Sequence, residues 1–133
     1  MWLVHRYVPI LHFHSGYEYT VSRVILVLCL VLFVATVYQF WRHDTTINPI
    51  ALEKSSTLIT TGVFAWSRNP VYLTDFLLLL AWAVWLGNWL NLIWLPVFVF
   101  YITRYQILPE ESVLGARFGS DYAAYTSRTN RWI

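Results

Sequence analysis

Two short polar groups flank a long apolar stretch and carry residue types that could bind a charged small molecule. The first is residues 68–72, Arg-Asn-Pro-Val-Tyr, and the second is Glu110-Glu111, just beyond the other end of the stretch. Asparagine is a favourable helix cap, and proline suits the first helical position because its missing N–H would be unpaired there. Asn69 and Pro70 therefore predict a helix that begins at the edge of the apolar stretch.

The charges of these two groups indicate which kind of ligand they could hold. Free N–H groups at a helix start, together with Arg68, attract a carboxylate or a phosphate. Glu110 and Glu111 would attract an ammonium group at the same membrane face, so the combination suits a zwitterion. The structural alternative is that Asn69 only caps the helix, that Arg68 only meets lipid headgroups, and that the glutamates only stabilise the first turn of a C-terminal helix.

The elements that must position these residues are helices in a membrane. Hydrophobic residues make up 58% of the chain and charged residues only 12%, whereas soluble domains carry roughly 25% charged residues. The apolar run over residues 21–41 has the length of about 20 residues that crosses a roughly 30 Å hydrocarbon layer. It is expected to be a transmembrane helix.

The second apolar run, residues 71–108, is too long for one crossing. Gly87-Asn88 and Asn91 interrupt it near its middle, which predicts two helices over residues 70–86 and 90–108. We therefore expect an all-α integral membrane protein with about three transmembrane helices. The last two would form a tight hairpin, and a cytoplasmic loop and a short C-terminal helix would complete the fold.

The chain is expected to form a single domain over residues 1–133. Residues 1–20 hold neither a long apolar run nor a secretory signal, and we interpret them as an interfacial segment. Seven of the nine basic residues fall on one side of the predicted helices: Arg42, Lys54, Arg68, Arg104, Arg117, Arg128 and Arg131. Because lysine and arginine favour the cytoplasmic side, we expect segments 42–69 and 109–133 to form one site facing the cytoplasm.

Several classes of site are excluded by composition. Cys29 is the single cysteine, so disulfides and cysteine-based metal sites are excluded. His12 and His14 flank Phe13 without a third ligand, and we expect no metal site. A net charge of +2 is too small to indicate nucleic acid as a partner.

The polar elements resemble a known family when they are taken in order. The matching elements are residues 60–72, the apolar hairpin, Glu110-Glu111, Phe118-Gly119, Tyr122 and Tyr125. This set, within about residues 40–133, resembles the isoprenylcysteine carboxyl methyltransferase family, whose wider relatives are phospholipid N-methyltransferases. That family forms its cofactor site from Arg-His-Pro-x-Tyr and Glu-Glu elements, and its cofactor is S-adenosylmethionine.

The resemblance implies both an activity and a set of site residues. The implied activity is methyl transfer to a lipid-like or prenyl-tailed acceptor, with O-methylation of a carboxylate preferred. The implied cofactor-binding residues are Leu58, Ile59, Phe64, Asn69, Pro70, Val71, Tyr72 and Glu110. Methyl transfer from a sulfonium requires alignment of the reacting atoms and exclusion of water, and it needs no metal.

Three further residues have more than one interpretation. Arg104 could orient an anionic acceptor as a catalytic residue, or it could be an ordinary arginine that reaches the interface. Asp75 could line the acceptor channel, because intramembrane carboxylates usually face a polar cavity, or it could reach water or Arg104. Asn69 stands where the family has histidine, so it is a catalytic candidate without a titratable ring.

Two alternatives to a methyltransferase stay open, as does the assembly. An NADPH-dependent membrane reductase would also use an Arg-x-Pro-Tyr-like element, and a non-catalytic membrane adaptor would need no cofactor. Relatives usually carry another transmembrane helix before residue 21. We therefore interpret the N-terminus as one that is either shortened or complemented by a helix of a second subunit, and the second interpretation predicts a homo-oligomer within the membrane lipids.

Overall fold

The computed structural model describes residues 1–7, 16–43 and 57–133. Regular structure in these ranges is helical throughout. The α-helices are α1 (Trp2–Tyr7), α2 (Glu18–Arg42), α3 (Pro70–Trp85), α4 (Trp94–Ile102) and α5 (Leu108–Thr126). Short 3₁₀ turns lie at Gly62–Ala65 and Trp89–Ile93, and a π-helical turn lies at Thr103–Ile107. Residues 8–15 of the predicted interfacial segment, which include His12 and His14, and residues 44–56 of the predicted loop lie outside the described residues.

Within the described ranges, two helices are long and apolar enough to cross a membrane, α2 and the continuous helix Trp89–Thr126. Only 17% of the most apolar part of α2 is buried within the protein. Large aliphatic side chains such as Leu30 and Val31 are exposed on it. Because a soluble core helix would be mostly covered by protein, this exposed apolar surface fits lipid as its surroundings.

Helix α3 is apolar but shorter than the other two. It has 16 residues, which at 1.5 Å per residue gives about 24 Å, less than the roughly 30 Å of a hydrocarbon core. The predicted turn after it is present. Gly87 has φ of 58°, which glycine adopts without strain, and the Asn88 side chain accepts a hydrogen bond from the Leu90 N–H at 2.9 Å.

Small side chains form the contact between α2 and the antiparallel α3. The Ser22 hydroxyl donates to the Ala81 carbonyl at 2.9 Å, and about two turns further along α2 Cys29 Sγ donates to the Thr74 carbonyl at 3.4 Å. Ser22 and Cys29 lie on the same face of α2 and are both buried. Small residues let apolar helices approach closely in a membrane, where dispersion and hydrogen bonds drive association.

The sequence predicts a C-terminal helix, and this helix is present as α5. The prediction that it is a separate helix beginning at Pro109 is wrong, because α4 continues into α5 without a break. The π-helical turn Thr103–Ile107 joins them, and the Leu108 N–H bonds to the Thr103 carbonyl. Pro109 has no N–H to offer the preceding turn, and the wider π-helical turn accommodates it. Glu110 and Glu111 therefore do not stand at a free helix start.

Helix α5 bends at Gly119 and turns the chain back towards the segment before α3. Gly119 has φ of 50° and ψ of −116°, a conformation that favours glycine. No atom lies within 4 Å of where its Cβ would be, so conformation rather than space calls for glycine. Beyond the bend, the Asn130 carbonyl accepts a hydrogen bond from the Arg68 N–H at 3.0 Å.

Candidate functional site

The first turn of α3 meets α5 through a tyrosine and a carboxylate. The Tyr72 hydroxyl donates to Glu110 Oε1 at 2.5 Å. Pro70 begins α3, as predicted, and is buried. Both side chains of the pair are half-buried, so each keeps surface through which a ligand can approach. The structure thus brings together the two polar groups that flank the apolar stretch in the sequence.

The neighbouring glutamate pairs with two arginines instead of a ligand. Glu111 accepts two hydrogen bonds from Arg131, at 2.9 Å from Nε and 2.7 Å from Nη2. Arg68 Nη1 lies 3.2 Å from Glu111 Oε1. Because a forked guanidinium matches a carboxylate with two parallel bonds, this arrangement fixes the tail against α5. Arg131 therefore helps to form the site, and its contact with Glu111 was not predicted from the sequence.

Asn69 holds the N-cap position of α3, but its side chain makes no cap hydrogen bond. The predicted capping role is wrong. Its Nδ2 donates instead to the Arg131 carbonyl at 3.0 Å, and its backbone N–H donates to Ser67 Oγ at 3.1 Å. The tail returns to this position and places the Arg131 carbonyl beside Asn69. The Asn69 side chain donates to this carbonyl and does not turn towards the N–H groups of α3.

Because Asn69 does not cap α3, the first N–H groups of this helix have no side-chain partner among the described residues. Pro70 has no N–H, and the Leu73 N–H already bonds to the Asn69 carbonyl at 3.0 Å. By helix geometry, the N–H groups of Val71 and Tyr72 are the two that no carbonyl of the helix accepts. They lie on the same turn as the Tyr72 side chain that contacts Glu110.

The segment before α3 is fixed by the tail and by α2. The Phe64 carbonyl accepts a hydrogen bond from the Tyr125 hydroxyl at 2.6 Å, and the Ala65 carbonyl accepts one from Thr129 Oγ1 at 3.3 Å. The Phe64 ring meets the edge of Phe40 with centroids 5.5 Å apart. Phe64 and Ile59 are buried. Tyr125 therefore has a defined role in holding the predicted contact residue Phe64.

Gly62 and Gln39 form a close contact that the sequence analysis did not identify. Gly62 has φ of 62°, and a Cβ at this position would lie 1.8 Å from Gln39 Nε2. Gln39 Oε1 is buried, and the described part of the chain offers it no hydrogen-bond partner. No local sequence signal connects the two residues, because they come from different elements of the chain.

The predicted site residues fall into three groups. Asn69, Pro70, Val71, Tyr72 and Glu110 lie together around the first turn of α3, and Leu58, Ile59 and Phe64 lie in the segment that precedes it. Arg104 is exposed on the π-helical turn and makes no hydrogen bond or ion pair with the described residues. Asp75 is also exposed, and no partner of its carboxylate occurs among the described residues.

The pKa values of Glu110 and Arg131, at this end of the protein, are both raised, but by different causes. The apolar part of the last helix ends at Leu108, and Glu110 lies beyond it. Burial raises the pKa of the Glu110 carboxyl, and the hydrogen bond from Tyr72 acts in the opposite direction. The hydrogen bond to Glu111 raises the pKa of Arg131. Glu110 is thus a carboxylate without a cationic partner among the described residues, next to an arginine-rich cluster that neutralises its neighbour.

Comparisons with known proteins identify the family of this chain. A model of the phospholipid methyltransferase family matches residues 17–121, which include α2, α3, α4 and the Glu110 region. An uncharacterized protein of Haemophilus influenzae is 40% identical over 63 residues, which are 47% of this chain and 100% of that protein. No solved structure matches. The family match spans most of the chain, so this membrane-type helical protein belongs to the phospholipid methyltransferase family and is a methyltransferase of that group.

Proposed function

We propose that the protein transfers a methyl group from S-adenosylmethionine to a lipid-like or prenyl-tailed acceptor at the membrane surface. The observation that carries the proposal is the contact between Tyr72 and Glu110. It places an otherwise unpaired carboxylate beside the start of α3. The resemblance to the isoprenylcysteine carboxyl methyltransferase family supports the same cofactor.

The donor and acceptor groups around α3 fit the amino-acid end of this cofactor. The Glu110 carboxylate complements an ammonium group, and the N–H groups of Val71 and Tyr72 complement a carboxylate. The Arg68 and Arg131 guanidinium groups are engaged by Glu111, so they leave Glu110 free for the ammonium. When bound, the cofactor supplies an activated methyl group on a sulfonium centre.

The acceptor is proposed to arrive from the lipid side. Helix α4 has no buried residue, so its apolar side chains are available to a lipid-like tail. Arg104 lies on the π-helical turn that follows α4, and its guanidinium could orient an anionic headgroup. A carboxylate acceptor needs no general base, whereas an amine must first lose a proton. O-methylation is therefore preferred as the reaction.

We further propose that α2, α3 and the α4–α5 helix all cross the membrane and that the site faces the cytoplasm. The 16 residues of α3 would span a locally thinned bilayer, which costs fractions of a kcal/mol per Å of mismatch. The hydrogen bond from the Arg68 N–H to the Asn130 carbonyl joins the segment before α3 to the tail. Both segments are therefore expected on one side.

Cysteine labelling tests this topology. In a Cys29→Ala background, single cysteines at Thr61 and Ser127 should react with a membrane-impermeant reagent only from the cytoplasmic side. A cysteine at Leu90, beyond the hairpin turn, should react only from the opposite side. Reaction of the Thr61 and Ser127 cysteines from opposite sides would exclude a shared site.

Calorimetry on the purified protein tests the cofactor. Titration with S-adenosylmethionine should give saturable binding, and titration with NADPH should give none. Binding of NADPH alone would favour a membrane reductase, and binding of neither would favour a non-catalytic adaptor. A following assay would offer methyl-labelled cofactor with farnesylated cysteine or with phosphatidylethanolamine vesicles. A base-labile methyl ester identifies O-methylation, and a base-stable product identifies N-methylation and contradicts the preferred reaction.

A further inference from the structure

We propose that Gln39 recognises the adenine ring of the cofactor, so that the site extends from the start of α3 to the end of α2. This inference rests on the proposed use of S-adenosylmethionine. It adds a binding residue on an element that the site described above does not include.

The Gln39 side chain is held at one place by the backbone around Gly62. The whole residue is only 9% exposed. Its Nε2 lies where a Cβ of residue 62 would otherwise be, at 1.8 Å from the ideal Cβ position. Gly62 therefore leaves space that the Gln39 amide group occupies, next to the backbone of the segment before α3.

One polar atom of this amide is left without a partner. Gln39 Oε1 is buried and makes no hydrogen bond with the residues that the structure describes. An unsatisfied buried polar group costs about 1–3 kcal/mol, and most buried polar atoms in folded proteins are paired. If Gln39 only filled space, an apolar residue of similar size would stabilise the protein more, because it would bury no unpaired polar atom. Because the described residues supply no donor to this carbonyl oxygen, we assign its partner to the bound cofactor.

The surroundings of Gln39 suit a flat aromatic ligand. Phe40 and Phe64 meet edge to face with centroids 5.5 Å apart, and Ile59 is buried in the same segment. Aromatic and aliphatic side chains favour the faces of a purine ring. A side-chain amide presents a donor and an acceptor side by side, as the edge of adenine does, and glutamine pairs with adenine in this way.

The position of Gln39 is compatible with the amino-acid end of the site at Tyr72. Phe64 precedes Pro70 by six residues in the sequence, so the two lie at most about 20 Å apart. A nucleoside joined to an amino acid can reach from one to the other. Phe64 is also tied to the tail through Tyr125, as Tyr72 is tied to α5 through Glu110.

Two ligands that differ in the group at position 6 of the purine, S-adenosylhomocysteine and S-inosylhomocysteine, test this proposal. In S-inosylhomocysteine, a carbonyl oxygen replaces the 6-amino group of S-adenosylhomocysteine, so a donor becomes an acceptor. Calorimetry should show that the wild-type protein binds the adenosyl ligand about tenfold or more tightly than the inosyl ligand. In Gln39→Leu, the adenosyl ligand should bind roughly ten- to a hundredfold more weakly, and the preference between the two ligands should disappear.

The matched control is Gln106→Leu, which removes an exposed glutamine from the π-helical turn. It should keep both the affinity and the preference of the wild-type protein. Equal binding of both ligands by the wild-type protein would overturn the proposal, whether or not Gln39→Leu folds. So would a Gln39→Leu variant that retains the preference. Failure of the wild-type protein to bind S-adenosylhomocysteine at all would instead overturn the proposed function.

Discussion

The Tyr72 hydroxyl and the Glu110 carboxylate join the two ends of the apolar hairpin, at 2.5 Å and across 38 positions of sequence. This contact places a half-buried carboxylate at the first turn of α3 while the next residue, Glu111, pairs with Arg68 and Arg131. Two adjacent glutamates thus have different roles, and only Glu110 stays available to a cationic group.

Substitution of this pair should lower affinity for S-adenosylmethionine. Glu110→Gln removes the charge that complements the ammonium, and Tyr72→Phe removes the donor that orients Glu110. Loss of a hydrogen bond to a charged group costs about 1.5–3 kcal/mol, which is roughly ten- to a hundredfold in affinity. Calorimetry measures this, with Tyr19→Phe, an exposed tyrosine at the other end of α2, as control. Unchanged binding in either variant would remove that residue from the site.

Cofactor affinity should also depend on pH through Glu110. Burial raises the pKa of this carboxyl, and only the ionised form attracts an ammonium group. As pH falls through the raised pKa, the carboxylate takes up a proton and the attraction is lost. Affinity should therefore begin to fall at a higher pH than for an ordinary glutamate, whose pKa is about 4.3. Glu110→Gln should lack this dependence, and a wild-type affinity that stays constant as pH is lowered would contradict the role.

Asn69 should act through its amide donor. Asn69→Asp removes the hydrogen bond to the Arg131 carbonyl and places a carboxylate against that oxygen, so it should destabilise the protein by about 1–3 kcal/mol. It should also weaken cofactor binding, because the new charge lies beside the proposed carboxylate site. Asn69→His can still donate from a ring nitrogen and should keep stability and binding. Thermal unfolding and calorimetry test both variants. If Asn69→Asp is as stable as the wild-type protein, the contact with the tail is not significant.

Gly62 should not tolerate a side chain. Its φ of 62° disfavours any other residue, at a cost of about 1–2 kcal/mol, and a Cβ would collide with Gln39. Gly62→Ala should therefore lower the unfolding temperature. Gly115→Ala is the matched control, since it lies within a helix and its Cβ would meet only Tyr122 Cδ1 at 3.7 Å. That variant should be as stable as the wild-type protein or slightly more stable. Equal effects of the two substitutions would contradict the close contact.

The charge cluster at Glu111 should stabilise the folded tail. Glu111→Gln leaves Arg68 and Arg131 close together without a carboxylate between them. Because the ion pairs of Glu111 are partly exposed, we expect the free energy of unfolding to fall by about 1–3 kcal/mol. Asp121→Asn, an exposed carboxylate of the same helix, should have little effect. Arg131→Lys should show an intermediate loss, since lysine cannot make two parallel bonds to Glu111. Chemical unfolding in detergent measures all three, and a neutral Glu111→Gln would contradict the role of the cluster.

The position of the two polar groups at one end of the hairpin could be predicted from sequence. Gly87-Asn88 marks the turn, and a hairpin returns the chain to the side on which it began, so Tyr72 and Glu110 had to lie at the same end. Pro70 marked the helix start correctly. These predictions succeeded because each depends on one local signal whose geometric consequence is simple.

The features of the fold and the site that could not be predicted depend on contacts between distant parts of the chain. Pro109 fits both a new helix start and a π-helical turn, so sequence alone could not show that α4 and α5 are continuous. The role of Asn69 depends on the tail, whose return depends on the bend at Gly119. Gln39 meets Gly62 only through the tertiary packing of α2.

The π-helical turn Thr103–Ile107 also makes the spacing of the chain critical. Such a turn contains one residue more than an α-helical path, and each residue of an α-helix rotates the residues that follow by about 100°. Deletion of one residue between Trp94 and Pro109 would therefore turn Glu110 away from Tyr72 even if every other side chain were kept. Among relatives, this segment should vary freely in its lipid-facing residue types but hardly at all in its length.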